Sequence, residues 1–141
     1  MTRHIPVLVL LLFAGLIPPA VAAPPGATEL NGQKLLTLVV REPPALRCNN
    51  NMQVAAELSN LYKVPVLVVP ASLAPTTKAP AVYWGEQLVA EDGGDFNGMV
   101  GFTQMQDILE IEGVPKQDKQ GRLLEVKKEF EALKSAIKGG Q

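Results

Sequence analysis

A chain of 141 residues amounts to one domain and is long enough for a single hydrophobic core. Its 13 Lys and Arg nearly balance 14 Asp and Glu, and neither a basic patch nor an aromatic–basic stripe is present, which excludes nucleic acid as a partner. Gly and Pro occur 12 times each, so turns are frequent and elements short.

The N-terminus has the layout of a secretory signal. Arg3 and His4 precede the apolar run Ile5 to Ile17, Pro18-Pro19 ends it, and Ala20-Val21-Ala22 supplies a small-x-small cleavage pattern. The run is shorter than the roughly 20 apolar residues that span a bilayer, which disfavours the alternative of an uncleaved anchor. Residues 1–22 are therefore expected to be a signal peptide and the mature chain to begin near Ala23, periplasmic or secreted, with no stable membrane span after cleavage. The single cysteine, Cys48, cannot form an internal disulfide in such a compartment. It is either buried, paired with another chain, or a reactive thiol.

Residues 23–34 form a Pro/Gly-containing, mostly polar lead-in. Leu35 to Val40 is apolar and branched, the pattern of a strand covered on both faces. Pro43-Pro44 makes the next stretch a loop. The amides of Asn49, Asn50 and Asn51 are good N-caps, and Asn50 with Gln53 makes a capping-box-like pair, so a helix is predicted to start just after Cys48. Val54, Ala55, Leu58, Leu61 and Tyr62 form its apolar stripe, and Lys63 sits in its last turn. Val64 to Val69 reads as a second buried strand, giving a βαβ unit. Pro70 to Pro80 is a loop. Ala81 to Trp84 and Gln87 to Ala90 are strands joined by a Gly85-Glu86 turn. Glu91 to Gly101 is another loop, followed by a helix capped at Thr103 with Gln106 and ended by Gly113. After a polar linker, Leu123, Val126, Phe130, Leu133 and Ile137 recur at a/d spacing, an amphipathic helix that docks on its own domain or on a partner.

This order of elements, with Cys48 near a helix start and Ala79-Pro80 before a hairpin, resembles the thioredoxin-like family. That family carries a reactive cysteine at the N-terminus of its first core helix and a cis-proline facing the thiol. The resemblance spans roughly Leu35 to Gly113. It implies an α/β fold, a small mixed sheet with flanking helices, over residues 35–115, with residues 116–141 adding a linker and the C-terminal amphipathic helix. Cys48 matches the first cysteine of the family's Cys-x-x-Cys motif and Pro80 its cis-proline. Asn51 stands where the second cysteine belongs, so dithiol chemistry is not available within one chain. The stretch from Val69 to Pro80 is also too short for the helix the family usually places there.

Helix N-terminal N–H groups, the helix dipole and Arg47 would stabilise a thiolate at Cys48, which leads to monothiol thiol–disulfide exchange. The alternative is a small buried residue. Arg47, Asn49, Asn50, Asn51, Ala79, Tyr83 and Trp84 are the candidate binding residues around it, although caps and turns account for the asparagines and one of the two aromatics should be core. Asp92, Asp95 and Asn97 before Gly98 fail as a calcium loop, because Gly93 and Gln104 fall where acidic ligands are required. The mature chain has no histidine, which excludes Cys-His or Ser-His catalysis and a His-ligated metal. The expectation is an exported, thioredoxin-like module that binds another exported protein without cofactor or metal. The alternative is a monothiol exchange protein using Cys48.

Overall fold

A computed structural model describes residues 22–119 and, beyond them, residues 128, 129, 132, 135 and 136. The expected signal segment up to residue 21 and most of the C-terminal helix lie outside the described residues. Within residues 22–119, six strands and two α-helices follow in order: β1 (Glu29–Leu30), β2 (Gln33–Lys34), β3 (Leu36–Val40), α1 (Leu46–Leu61), β4 (Val66–Pro70), β5 (Ala81–Trp84), β6 (Gln87–Glu91) and α2 (Phe102–Ile111). β1 and β2 make a separate small hairpin. The other strands form a four-stranded sheet in the order β4-β3-β5-β6. β3 runs parallel to β4 because α1 crosses between them, and antiparallel to β5, which pairs antiparallel with β6 across the Gly85 turn. The chain is a mixed α/β fold.

Both faces are covered at central β3, whose five residues are all buried, whereas β4, expected to be a buried strand, is an edge that leaves Val66 and Val68 exposed. On one face Leu36, Leu38, Val40, Val82 and Trp84 pack against Leu58 and Tyr62 at the α1 end and Met105 and Leu109 of α2. Leu58 and Leu109 are 0% exposed, and burying a side chain of that size contributes about 1.5–3 kcal/mol. On the other face Val39, Val69, Ala81 and Tyr83 pack with Ala74. Ala74 belongs to the connection from β4 to β5, which makes only a 3-10 turn at Ala71–Leu73 before running on to Pro80. A crossover of this length thus covers part of the face without a helix. Its Thr77 hydroxyl lies 3.2 Å from the Tyr83 hydroxyl.

Several expected boundaries move. α1 begins at Leu46 with Ala45 as an uncapped, extended N-cap, so Asn49, Asn50 and Asn51 lie inside the helix and cap nothing. The cause is burial: Cys48 and Asn51 face the core together with Val54, Ala55 and Leu58, and this stripe needs the preceding turn to be helical. Gln53 donates to Glu57 at 3.1 Å instead of closing a capping box. Lys63 falls beyond the C-cap Tyr62, its N–H donating to Pro115 O at 2.8 Å. α2 starts at Phe102 with Gly101 as N-cap, whose N–H donates to Gln104 Oε1 at 3.4 Å; Thr103 is therefore within the helix. The lead-in is structured as the β1–β2 hairpin, turned at Asn31-Gly32 with both φ positive. The supposed linker is anchored at its start. Gln117 N–H donates to Leu61 O at 2.8 Å, and its side-chain amide to Ser59 O and Tyr62 O at 3.0 Å each, so the folded unit continues past residue 115.

Candidate functional site

The end of β3, the start of α1, the Ala79-Pro80 turn and the loop from Asp92 to Gly101 meet at one end of the sheet. Arg41, the first residue after β3, ties three of them together. Its backbone N–H donates to Cys48 Sγ at 3.3 Å, its Nε donates to Ala79 O at 2.8 Å, and its Nη2 bonds Asp92. The Ala79–Pro80 peptide bond is cis. Arg47, in the first turn of α1, also reaches the Asp92 carboxylate and donates to Asn97 O at 2.7 Å. Asp92 therefore sits between two guanidiniums. The hydrogen bond from Arg47 and the charge of both arginines hold its carboxyl below the usual aspartate range, against the opposing effect of burial.

Cys48 is the third residue of α1 and is completely buried. Its sulfur has the Arg41 N–H as a donor but no exposed surface, so an incoming disulfide would reach it only after a local opening. Asn51, one turn further on, is also buried and fully employed. Its Nδ2 donates to Gly98 O at 2.7 Å, and its Oδ1 accepts from Val100 N–H at 3.0 Å and from Asn50 Nδ2 at 3.3 Å. Asn50 Nδ2 also donates to Val100 O at 3.0 Å. The two amides thus clip the 98–100 segment onto α1, while Asn49 is exposed on the helix surface.

Of the expected residues, the structure brings Arg47, Cys48, Asn50, Asn51, Ala79 and Pro80 to this end. It takes Tyr83 and Trp84 away from it. They lie 0% and 2% exposed on opposite faces of β5, and Trp84 Nε1 donates to Glu112 Oε2 at 2.9 Å. Consecutive strand residues point to opposite faces, and here both faces are core. Sequence reasoning missed Arg41 and Asp92. Arg41 is a charge placed directly after a fully apolar strand, a legible sign of a chain leaving the core at a polar site. Asp92 drew notice only as a failed calcium ligand.

Beside the partly exposed Arg41, Arg47 and Asp92, the site presents large apolar side chains to solvent. Leu46 at the first helical position and Phe96 in the loop are 82% and 75% exposed, and Phe96 takes a positive φ of 56°. Beside Phe96, a groove of about 570 Å³ runs along Asn50, Met99, Val100 and Gln104. Among the described residues no group of three or more His, Cys, Asp or Glu could hold a metal ion, and no helix is long and apolar enough to cross a membrane. No protein-family model matches the chain, and no curated protein or solved structure matches it.

Proposed function

We propose that this chain is an exported, thioredoxin-like module that binds another exported protein with the Leu46–Phe96 end and performs no thiol chemistry there. The strand order β4-β3-β5-β6 and the Ala79-Pro80 turn joined to α1 through Arg41 support the family reading. The start of α1 adjusts how the motif aligns. If the reactive cysteine of the family occupies the helix N-terminus, its counterpart here is the exposed N-cap Ala45. Ala45-Leu46-Arg47-Cys48 then corresponds to Cys-x-x-Cys with the exposed thiol lost and the inner one retained. The observation that carries the proposal is the complete burial of Cys48 beneath the Arg41 N–H, next to exposed Leu46 and Phe96. Monothiol exchange would require the reverse arrangement, a thiol at the surface.

Alkylation of Cys48 in the folded protein and in denaturant tests this reading. Protection in the folded state by at least about a hundredfold is expected, because access then needs an opening that costs several kcal/mol. Reaction at the denatured rate would restore monothiol exchange as the function. A photo-crosslinking residue at Leu46 or Phe96, compared with one at exposed Ile111 on α2, tests the binding face in the cell. Discrete adducts from the first two positions but not the third are expected, and equal labelling from all three would remove this end as the interface.

A further inference from the structure

β4 is an edge strand, paired only with β3 among the described residues. Leu36 is in register with Val66, and its N–H donates to Pro65 O at 3.0 Å. In a parallel ladder this phase turns the N–H and C=O groups of Leu67 and Val69 towards β3, and those of Val66 and Val68 away from it. The outward ladder stops on both sides, because Pro70 has no N–H and Val64 N–H donates to Tyr62 O at 2.9 Å. The side chains of Val66 and Val68 are 37% and 45% exposed on one face of the sheet. No charged residue occurs between Val64 and Thr77. β4 thus lacks the lysines, inward charges and bulges that usually protect a sheet edge. The opposite edge, β6, ends in Glu91, follows Glu86 and has a register shift in its pairing with β5.

We infer that the outer edge of β4 binds β4 of a second copy of this chain, antiparallel, about a two-fold axis through Leu67. The occupant follows from the donor–acceptor pattern. Only Val66 and Val68 present both an outward donor and an outward acceptor, and placing Val66 opposite Val68 of the second copy satisfies both donors and both acceptors of each strand. A slip of two residues in either direction sets Val66 against Pro70 or Val68 against Val64, neither of which has an N–H to give, and leaves one carbonyl of each strand unpaired. The same register sets β-branched Val66 against Val68, a favourable cross-strand pair, and brings Lys63 opposite uncharged Ala71 of the second copy, so no like charges meet. An isologous contact of this kind closes on itself as a dimer. The short overlap puts it among weak interfaces, below about 1,200 Å², so association depends on concentration. It uses neither Leu46 nor Phe96 and does not depend on the proposed partner-binding end.

Sedimentation velocity of the chain from Ala23 onward over a wide concentration range tests it. The mean mass is expected to rise from that of one chain towards twice that value. Val68→Pro removes an outward donor without touching the β3 ladder and should weaken association by about tenfold or more while the far-UV spectrum stays native. Val68→Lys provides the same test should proline disturb the strand. In a Cys48→Ala background, Leu67→Cys faces its own copy at a non-hydrogen-bonded position, where Cα atoms approach to about 4.5 Å, and should form a disulfide-linked dimer on mild oxidation. Lys78→Cys, on the exposed crossover, is the control. A monomer at every concentration, association that survives both Val68 variants, or Leu67→Cys linking no faster than Lys78→Cys would each overturn the proposal.

Discussion

Gly98 is where the loop after β6 presses against the cis-proline turn, and Gly98→Ala tests whether that contact holds the site together. A Cβ at this position would lie 2.2 Å from Pro80 O, 2.9 Å from Asp92 N and 3.0 Å from Glu91 C, all backbone atoms without a rotamer to yield. Its φ of +75° adds about 1–2 kcal/mol for any residue with a Cβ. Forcing a methyl group into a packed contact adds about 1–3 kcal/mol. The expected loss is therefore about 2–5 kcal/mol, read as a fall in urea midpoint and in Tm by at least about 10 °C for a domain of this size. Gly93→Ala separates the two contributions, since Gly93 has φ +84° but nothing within 4 Å of its Cβ position. That variant should lose only the conformational part. Equal losses in the two variants would show that the Gly98–Pro80 contact contributes nothing beyond backbone geometry and does not clamp the loop on the proline turn.

Two further outcomes follow from the polar groups of the site. Asn51→Ala leaves Val100 N–H and Gly98 O without their buried partner, at about 1–3 kcal/mol for each group, and hydrogen exchange at Val100 should accelerate more than exchange in β3. Asp92 has its folded pKa depressed by Arg47 and Arg41, so its stabilisation is present above its unfolded value of about 3.9 and is lost as pH falls through the folded value. Asp92→Asn should therefore lower stability near neutrality and flatten the acid side of the stability–pH curve. The remaining slope belongs to carboxyls such as Glu110 and Glu112, which Tyr62 with Lys116, and Lys34 with Trp84, also hold below their usual range. An unchanged acid slope in Asp92→Asn would contradict the assignment.

Much of the sheet was legible because its strands announce themselves. Leu36–Val40 is apolar throughout since it is buried on both faces, and Gly85 marks its hairpin by taking a positive φ. The start of α1 was not legible. Asn49, Asn50 and Asn51 carry a strong capping preference, yet the core needs Cys48 and Asn51 on a helical face, and tertiary burial overrides a local signal worth about 1 kcal/mol. The Asn31-Gly32 turn was a missed signal of ordinary strength, hidden because the flanking strands are only two residues each. The site was half legible. Sequence order points to Cys48 and Pro80, but Arg41 and Asp92 act through side-chain contacts across 38 to 51 residues of chain, Gly98 acts through its contacts with Pro80 and Asn51, and no local pattern carries such pairings.

The shifted helix start leads to a final prediction that separates two alignments of the motif. If Ala45 stands where the exposed cysteine of a Cys-x-x-Cys pair would be, then Ala45→Cys adds a solvent-facing thiol at the N-cap, three residues before buried Cys48. Residues at that spacing across a first helical turn lie close enough for a disulfide, whose Cα separation is typically about 4.4–6.8 Å. Mild oxidation should then consume both thiols within one chain, and the new thiol should alkylate much faster than Cys48. If Asn51 instead marks the second position of the motif, Asn51→Cys would be the variant that pairs. The structure argues against that outcome, because Asn51→Cys removes the amide that holds Gly98 and Val100, and both sulfurs would be buried. It should lose stability as Asn51→Ala does, and pair slowly if at all. Pairing in Asn51→Cys together with two persistent free thiols in Ala45→Cys would reverse the alignment and return Cys48 to the leading position.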